Sequence, residues 1–272
     1  MIQSEQAKFW HVDGMGLLRA TYIQHVFAPH AHEEFAIGII EDGAQTYLHH
    51  GRTRLVMPAG CVAVVNPGIL HIGHATNRQG WTYRMFYPAP DLLQRVASEI
   101  AGRNRDVPLF PAPIIFDQPL FGVLQLAHAV LENPASSPLM RESYLTWALT
   151  FLVARHACDR PTVPTFPHEK TLALQIKHYL EENFAAPILL SDLAAFANAS
   201  RYYVLRIFKQ EVGIPPHAYL MQYRIQQARK LLVQGLPIAT VAAETGFTDQ
   251  SHFTKVFKRM VGVTPGQWCI TS

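Results

Sequence analysis

The sequence predicts an α+β fold, in which a small β-barrel or sandwich with following helices precedes an all-α domain. Between about Thr21 and Pro90, short runs rich in β-branched and aromatic residues alternate with turn-forming Gly, Pro and Asn, which is typical of short antiparallel strands. After Pro90 the apolar residues recur at helical spacing. A length of 272 residues suits two domains.

The individual elements follow from these patterns. Strands are expected at 35–40, 46–48, 61–65 and 81–87, with turns at 41–43, 50–52, 58–60 and 66–68. Helices are expected at 91–100, 120–131 and 141–158. The stretch 159–168 contains three prolines, so it is predicted to be a linker. The predicted domains are therefore 1–158 and 169–272, joined by 159–168.

Net charge separates the two predicted domains. Residues 1–167 carry 12 basic and 13 acidic groups (net −1), whereas residues 168–272 carry 11 and 7 (net +4), which together give the +3 of the chain. A basic domain beside a mildly acidic one indicates different partners.

Several classes of protein are not expected. The first ten residues lack the apolar core of a signal peptide, and Pro and Gly interrupt the longest uncharged stretch, 55–77, so no membrane span is expected. Cys61, Cys158 and Cys269 are odd in number and widely spaced, which favours neither a disulfide framework nor a zinc finger. These features favour a cytoplasmic protein.

Residues 189–213 predict two short helices joined by a tight turn. Ser191 is expected to cap the first helix and Ser200 the second, while Asn198 is expected to adopt the left-handed conformation at the turn. The outer face of the second helix would present Arg201, Tyr202, Leu205, Arg206 and Lys209. This is the helix–turn–helix form.

Residues 237–262 predict a second unit of the same kind. Gly246 is expected at its turn, with Thr248 or Asp249 as the cap of the following helix. That helix would expose Gln250, Ser251, His252, Thr254, Lys255, Lys258 and Arg259. Polar donors at its start suit base edges, and cations at its end suit phosphates.

A long helix expected at 216–234 would connect the two units. At 1.5 Å per residue it is about 28 Å long, which would suit two helices entering successive major grooves, whose repeat is ~34 Å. A helical bundle with a solvated basic face is the alternative, and the repetition of the pattern favours DNA binding.

The stretch 190–268 resembles the DNA-binding domain of the AraC/XylS family of bacterial transcription regulators. The similarity is carried by RIFKQEVGIPPHAYL, YRIQQARKLL and ETGFTDQSHFTKVFKRMVGVTPGQW. It implies DNA contacts from the residues named on the two outer helices. Leu205 departs from the polar residue that is commoner there, and Lys255 stands where arginine is frequent, which favours a phosphate contact over guanine readout.

Two histidine motifs mark the amino-terminal domain: PHAHEEF, with His30 and His32, and PGILH, with His71. Together they resemble a cupin barrel, specifically the ligand-binding domain of AraC-type regulators, over about 23–87. Since residues i and i+2 of a strand face the same side, His30 and His32 are expected to point the same way. Metal cupins add a glutamate, but Ala36 and Ile37 occupy its expected positions.

Three interpretations of these histidines stay open: a metal-free effector pocket, a zinc or iron site completed by water, or structural or exposed side chains. The first is favoured, so no metal and no cofactor is expected. Glu34 and Arg84 are expected to join His30, His32 and His71 in binding a small zwitterion or carboxylate. A resemblance to regulators associated with amino-acid export makes an amino acid the first choice.

Together these features predict a regulator of transcription rather than an enzyme. The expected protein is an activator under effector control that binds double-stranded promoter DNA and RNA polymerase. Its helices between 120 and 158 would pair two subunits, as the resemblance implies, or simply pack on the barrel. The alternatives are a metal-dependent cupin enzyme fused to a DNA-binding module and a DNA-repair protein, which would need a reactive cysteine.

Overall fold

The computed structural model describes residues 5–49, 53–161 and 169–270. The chain folds into two compact units, one made of Met1–Asn133 with Tyr144–Pro164 and the other of Pro134–Ser143 with Thr165–Ser272. Most of the predicted linker and the predicted turn at 50–52 lie outside the described residues.

The first unit is an antiparallel sheet with helices. Its described strands are β1 (Gln6–Val12), β2 (Met15–Tyr22), β3 (Ala36–His49), β4 (Thr53–Pro58), β5 (Val62–Val65), β6 (His71–Ala75), β7 (Trp81–Tyr87) and β8 (Ile114–Ile115). The order is β1-β2-β7-β3-β5-β8, with β4 and β6 also paired to β3. Alternate side chains of β3, β5 and β7 fill the interior of this sheet, where Trp81, Tyr83 and Met85 are buried.

β3 is shared between the two halves of the sheet. Its start pairs with β5 and β7, and 44–49 pairs with β4. A register shift between Ile40 and Asp42 and a φ of 69° at Gly43 bend the strand between these pairings. The turn predicted at 41–43 is therefore wrong, because a bulge lets the strand continue in a new direction.

β1 and β2 precede the region predicted to form strands. They make a hairpin whose two loop residues, Asp13 and Gly14, have φ of 50° and 82°. Two consecutive positive φ values are what a type I′ turn needs, and an Asp-Gly pair is its usual sequence.

The three helices of the amino-terminal half are confirmed close to their predicted bounds. They are α1 (Pro90–Ala101), α2 (Gln118–Glu132) and α3 (Pro138–His156). The Asp117 carboxylate caps α2 by accepting from the Leu120 N–H at 3.1 Å. α2 packs on β3 and β7.

The second unit is helical over its described residues. Its helices are α4 (Glu169–Glu182), α5 (Leu190–Phe196), α6 (Arg201–Val212), α7 (Pro216–Val233), α8 (Ile238–Glu244), α9 (Gln250–Val261) and α10 (Pro265–Ile270). One apolar cluster lies around α4–α6 and a second around α7–α9. None of the described helices is both long and apolar enough to cross a membrane.

The turn and cap residues were mostly predicted. Asn198 has a φ of 46°, Ser200 caps α6, Gly246 has a φ of 74° and Asp249 caps α9. Ser191 is the exception, because it lies inside α5. Carboxylates take the donors at the start of this helix: Asp192 accepts from the Leu189 N–H at 2.8 Å and Glu142 from the Leu190 N–H at 2.7 Å. A hydroxyl does not match such charge-assisted bonds.

Candidate effector pocket and DNA-reading helices

A small cavity lies in the interior of the β-sheet of the first unit. Its volume is about 90 Å³. The lining residues are Phe27, His30, His32, Ala36, Gln45, Tyr47, Met57, Ala63, Val65, His71, Gly73, Tyr83, Met85 and Tyr87. Aromatic and apolar side chains with a few convergent polar groups are typical of a ligand site.

The three histidines of the sequence motifs meet at this cavity. A pair of backbone hydrogen bonds of 3.1 and 2.9 Å forms an isolated bridge between His30, which lies outside the named strands, and His71, the first residue of β6. Their rings are 4.3 Å apart, and the His32 ring is 4.8 Å from that of His30. The expected strand bearing His30 and His32 is therefore wrong, since a bridged loop brings the rings together.

Hydrogen bonds fix the proton positions of two of these rings. His30 Nδ1 lies 2.8 Å from the Ala28 carbonyl, and His71 Nδ1 lies 2.8 Å from the Ile69 carbonyl. Since a carbonyl oxygen only accepts, each Nδ1 carries the proton and each neutral ring keeps its lone pair on Nε2. Burial and then the neighbouring His30 lower the pKa of His32, which favours its neutral form.

Neutral phenols complete the polar lining of the cavity. Burial raises the pKa of Tyr47 to about 12 and also raises the pKa of Tyr83 and of Tyr87. These three phenols are therefore uncharged donors and acceptors at the cavity wall.

Arg84 and Glu34 do not line the cavity. Arg84 follows Tyr83 on β7 and so faces the opposite side of the sheet, where it donates to Glu41 at 2.8 Å and to Glu132 at 2.9 Å. This placement contradicts the expectation that Arg84 belongs to the effector pocket. Glu34 is exposed and lies close enough to His32 to raise the pKa of that imidazole.

A larger groove of about 860 Å³ lies at the surface beside α1. Two of the arginines in its lining are already paired, Arg95 with Asp91 and Arg105 with Asp159.

α6 presents most, but not all, of the predicted outer residues. Lys209 is exposed, and Arg201 and Tyr202 are half-buried. Arg206 is half-buried and donates to Glu169 at 2.6 Å. Leu205 is only 2% exposed and belongs to the apolar cluster around α4–α6. Its predicted place on the DNA-reading surface is therefore wrong, because hydrophobic burial takes this side chain into the core.

α9 places its predicted residues at the surface. Gln250, Ser251 and Lys255 are exposed, while His252 and Thr254 are half-buried. The Thr254 hydroxyl donates to the Gln250 carbonyl at 2.8 Å. Lys258 and Arg259 lie in the last turn, where cations also complement the helix dipole.

Arg224 is a structural residue that the motifs did not single out. This buried guanidinium on α7 donates to the carbonyls of Phe184, Ala186 and Gly246 at 2.7–2.9 Å. It thereby ties the segment after α4 to the turn of the second helix–turn–helix unit. The sequence YRIQQARKLL around Arg224 predicts the helix but not the three hydrogen bonds that this side chain makes.

Comparisons with known proteins match both units. A family model described as an AraC-like ligand binding domain matches residues 14–149, and one described as a helix-turn-helix domain matches residues 193–269. An uncharacterized HTH-type transcriptional regulator, YbfI of Bacillus subtilis (strain 168), is 33% identical over 230 residues, which cover 85% of this chain and 82% of that protein.

Further matches cover parts of the chain. The HTH-type transcriptional activator RhaR of Escherichia coli O139:H28 (strain E24377A / ETEC) is 30% identical over 145 residues, covering 53% of this chain and 51% of that protein. The C-terminal domain of AraT, a response regulator from Geobacillus stearothermophilus, shares 32% identity at a TM-score of 0.36 and covers 37% of this chain and 85% of that chain.

An antiparallel sheet domain that matches a ligand-binding family, combined with two helix–turn–helix units, defines a DNA-binding transcriptional regulator, and the matching families and relatives are regulators rather than enzymes. The chain belongs to the AraC family. This confirms the family and the α+β fold class predicted from the sequence.

Proposed function

We propose that the protein is a sequence-specific activator of transcription, controlled by a small polar effector that binds in the barrel cavity. The observation that carries the proposal is the convergence of His30, His32 and His71 on a cavity in the part of the chain that matches a ligand-binding domain. Among the relatives, RhaR is named a transcriptional activator.

The size and chemistry of the cavity limit the effector. A volume of about 90 Å³ accommodates a few water-sized groups, so the effector is a molecule of few non-hydrogen atoms. The amide oxygen of Gln45 and the phenol oxygens of Tyr47, Tyr83 and Tyr87 in the lining can accept hydrogen bonds, which suits an amine or ammonium group. A small amino acid fits this description, with its carboxylate requiring a partner other than Arg84.

β7 offers a path from the cavity to α2. Tyr83 and Met85 line the cavity, and Arg84 between them pairs with Glu132 of α2 and with Glu41 of β3. An effector that binds one position of β7 better than another would therefore also bias α2, as allosteric coupling requires.

Recognition of promoter DNA is assigned to α6 and α9. On α6 the proposed contacts are Arg201, Tyr202, Arg206 and Lys209, and on α9 they are Gln250, Ser251, His252, Thr254 and Lys255. The polar residues at the start of α9 reach base edges, and the lysines contact phosphates. Leu205 is left out because it is buried.

The proposed assembly is a cytoplasmic homodimer that contacts RNA polymerase. The helices between 120 and 158 are proposed to pair the two subunits. The proposed domains are 1–158 and 169–272 with the linker 159–168, and the segment Pro134–Ser143 of the first domain belongs to the second compact unit.

The proposal is tested by DNA selection followed by an affinity measurement. Full-length protein is used to select genomic fragments, and the selected fragment is compared with a shuffled fragment of equal length at ~0.15 M salt. A preference of ~10³-fold or more is expected, and Gln250→Ala should reduce it whereas Lys230→Ala on α7 should not. Equal affinity for both fragments would overturn the proposal.

The effector is identified by thermal shift with small amino acids and amines. A true effector at 100-fold excess over its Kd adds about 2.7 kcal/mol of stability. His32→Asn should abolish that shift, and His25→Asn, an exposed histidine of the same unit, should keep it.

A further inference from the structure

We infer that His30, His32 and His71 bind one divalent transition-metal ion, of the zinc class, at the wall of the cavity. In the described part of the chain, this is the one group of three or more His, Cys, Asp or Glu side chains whose ligand atoms converge. Those atoms all lie within 4.8 Å of one another.

The proton positions favour metal binding. A metal-ligating histidine donates its other ring N–H to a carbonyl or carboxylate, which fixes the ring and its tautomer. His30 and His71 both do this, with the carbonyls of Ala28 and Ile69 at 2.8 Å. The Nε2 atoms therefore carry the lone pairs that a metal ion requires.

The spacing is close to what a metal requires. With bonds of 2.0–2.1 Å, a tetrahedral zinc ion holds its nitrogen ligands roughly 3.3 Å apart. The ligand atoms of the three histidines lie within 4.8 Å of one another, so they need to approach by at most roughly 1.5 Å. The backbone bridge between His30 and His71 already fixes that pair. His30 and His32 are half-buried, so the ion can enter from solvent.

A metal site made of three histidines has a higher net charge than a site that also contains a carboxylate ligand. Ala36 lines the cavity where an acidic ligand was expected, and the remaining lining carries no carboxylate or guanidinium. Within the lining, three neutral imidazoles leave the 2+ charge of the ion uncompensated, with open coordination positions, and the exposed Glu34 acts on it only from outside the lining. Such an ion would bind an anionic group, and it would supply the partner for an effector carboxylate that Arg84 does not provide.

The inference is tested by titrating metal-free, full-length protein without a histidine tag with Co²⁺, and with Zn²⁺ against a chromophoric chelator. One equivalent per chain is expected, with visible Co²⁺ absorption that changes when acetate is added. His30→Asn, His32→Asn and His71→Asn should each weaken binding at least tenfold, while the matched control His25→Asn should leave it unchanged.

His71 is buried, so thermal unfolding must show that each variant is folded. If His71→Asn does not fold, the test is made with the variants of the half-buried His30 and His32. Binding of less than a tenth of an equivalent to the wild type would overturn the inference, as would His32→Asn with unchanged affinity. The site does not depend on DNA recognition. Promoter selectivity without metal binding would therefore overturn this inference alone, and metal binding without selectivity would overturn only the proposed function.

Discussion

His128 is a single buried imidazole that joins the sheet to α2. Its Nε2–H donates to the Leu18 carbonyl at 3.2 Å, and its Nδ1 accepts from Arg84 at 3.1 Å. Both ring nitrogens are thus satisfied in the neutral form. Burial, and then the positive charge of Arg84, lower the pKa of His128 to about 4.

This lowered pKa makes the first unit sensitive to acid. An unfolded histidine has a pKa of about 6.5, so the folded form resists a proton that the unfolded chain accepts. The contribution of neutral His128 to the free energy of unfolding is fully present above about pH 6.5. It is lost as the pH falls towards 4, by up to roughly 3 kcal/mol. His128→Gln should flatten the decline of the first unit's Tm between pH 6.5 and 4.5.

The control is His178→Gln on α4, whose side chain is 69% exposed. It should keep the wild-type pH profile. A His128→Gln profile that falls as steeply as the wild type would contradict the prediction. The measurements are kept above pH 4.5. Contacts with Arg84 lower the pKa of Glu41 and of Glu132, so protonation of these carboxylates causes a separate loss of stability at lower pH.

Side-chain direction was the residue-scale feature that the sequence predicted least well. In β7 the residues Tyr83, Arg84 and Met85 are all buried, so no polar alternation distinguishes the cavity face from the helix face. Leu205 lies four residues from both Arg201 and Lys209, which suggested a common exposed face. Its own apolar side chain extends the buried stripe of α6 instead.

At the scale of elements, local turn chemistry was predicted better than strand continuity. Asn198 and Gly246 adopt the conformations that their residue types favour. The bulge after Ile40 depends on pairing with distant strands, which short-range patterns do not encode. The three histidines show the same division, since their motifs were recognisable but the bridge between His30 and His71 was not.

Arg224 connects elements of the DNA-binding unit, so its loss should affect the whole unit. Arg224→Met would leave the carbonyls of Phe184, Ala186 and Gly246 without their donor, and unpaired buried polar groups cost about 1–3 kcal/mol each. A loss of at least about 3 kcal/mol is expected, measured by denaturant unfolding followed by circular dichroism. Lys230→Met, an exposed residue of the same helix, should change stability by less than about 0.5 kcal/mol. Similar losses for both variants would contradict this role.

At the scale of the whole molecule, the net charge is small although basic residues are concentrated on α6 and α9. The net +4 of residues 168–272 includes six basic residues on α6 and α9: Arg201, Arg206, Lys209, Lys255, Lys258 and Arg259. Arg206 also forms a salt bridge with Glu169. Affinity for DNA is therefore expected to depend on a few positioned contacts rather than on a strongly basic surface.

The salt dependence of promoter binding measures these contacts. If all six cations neutralise phosphates, a plot of log K against log salt has a slope of roughly −5. Lys209→Gln and Lys255→Gln should each reduce the magnitude of the slope by about 1, whereas Lys230→Gln on α7 should leave it unchanged. Leu205→Ala separates packing from recognition: it should lower stability by about 2–5 kcal/mol and, in the fraction that stays folded, retain the wild-type slope. Unchanged slopes for both lysine variants would contradict the assignment of α6 and α9, because a helix that contacts the phosphates releases counterions in proportion to its cations.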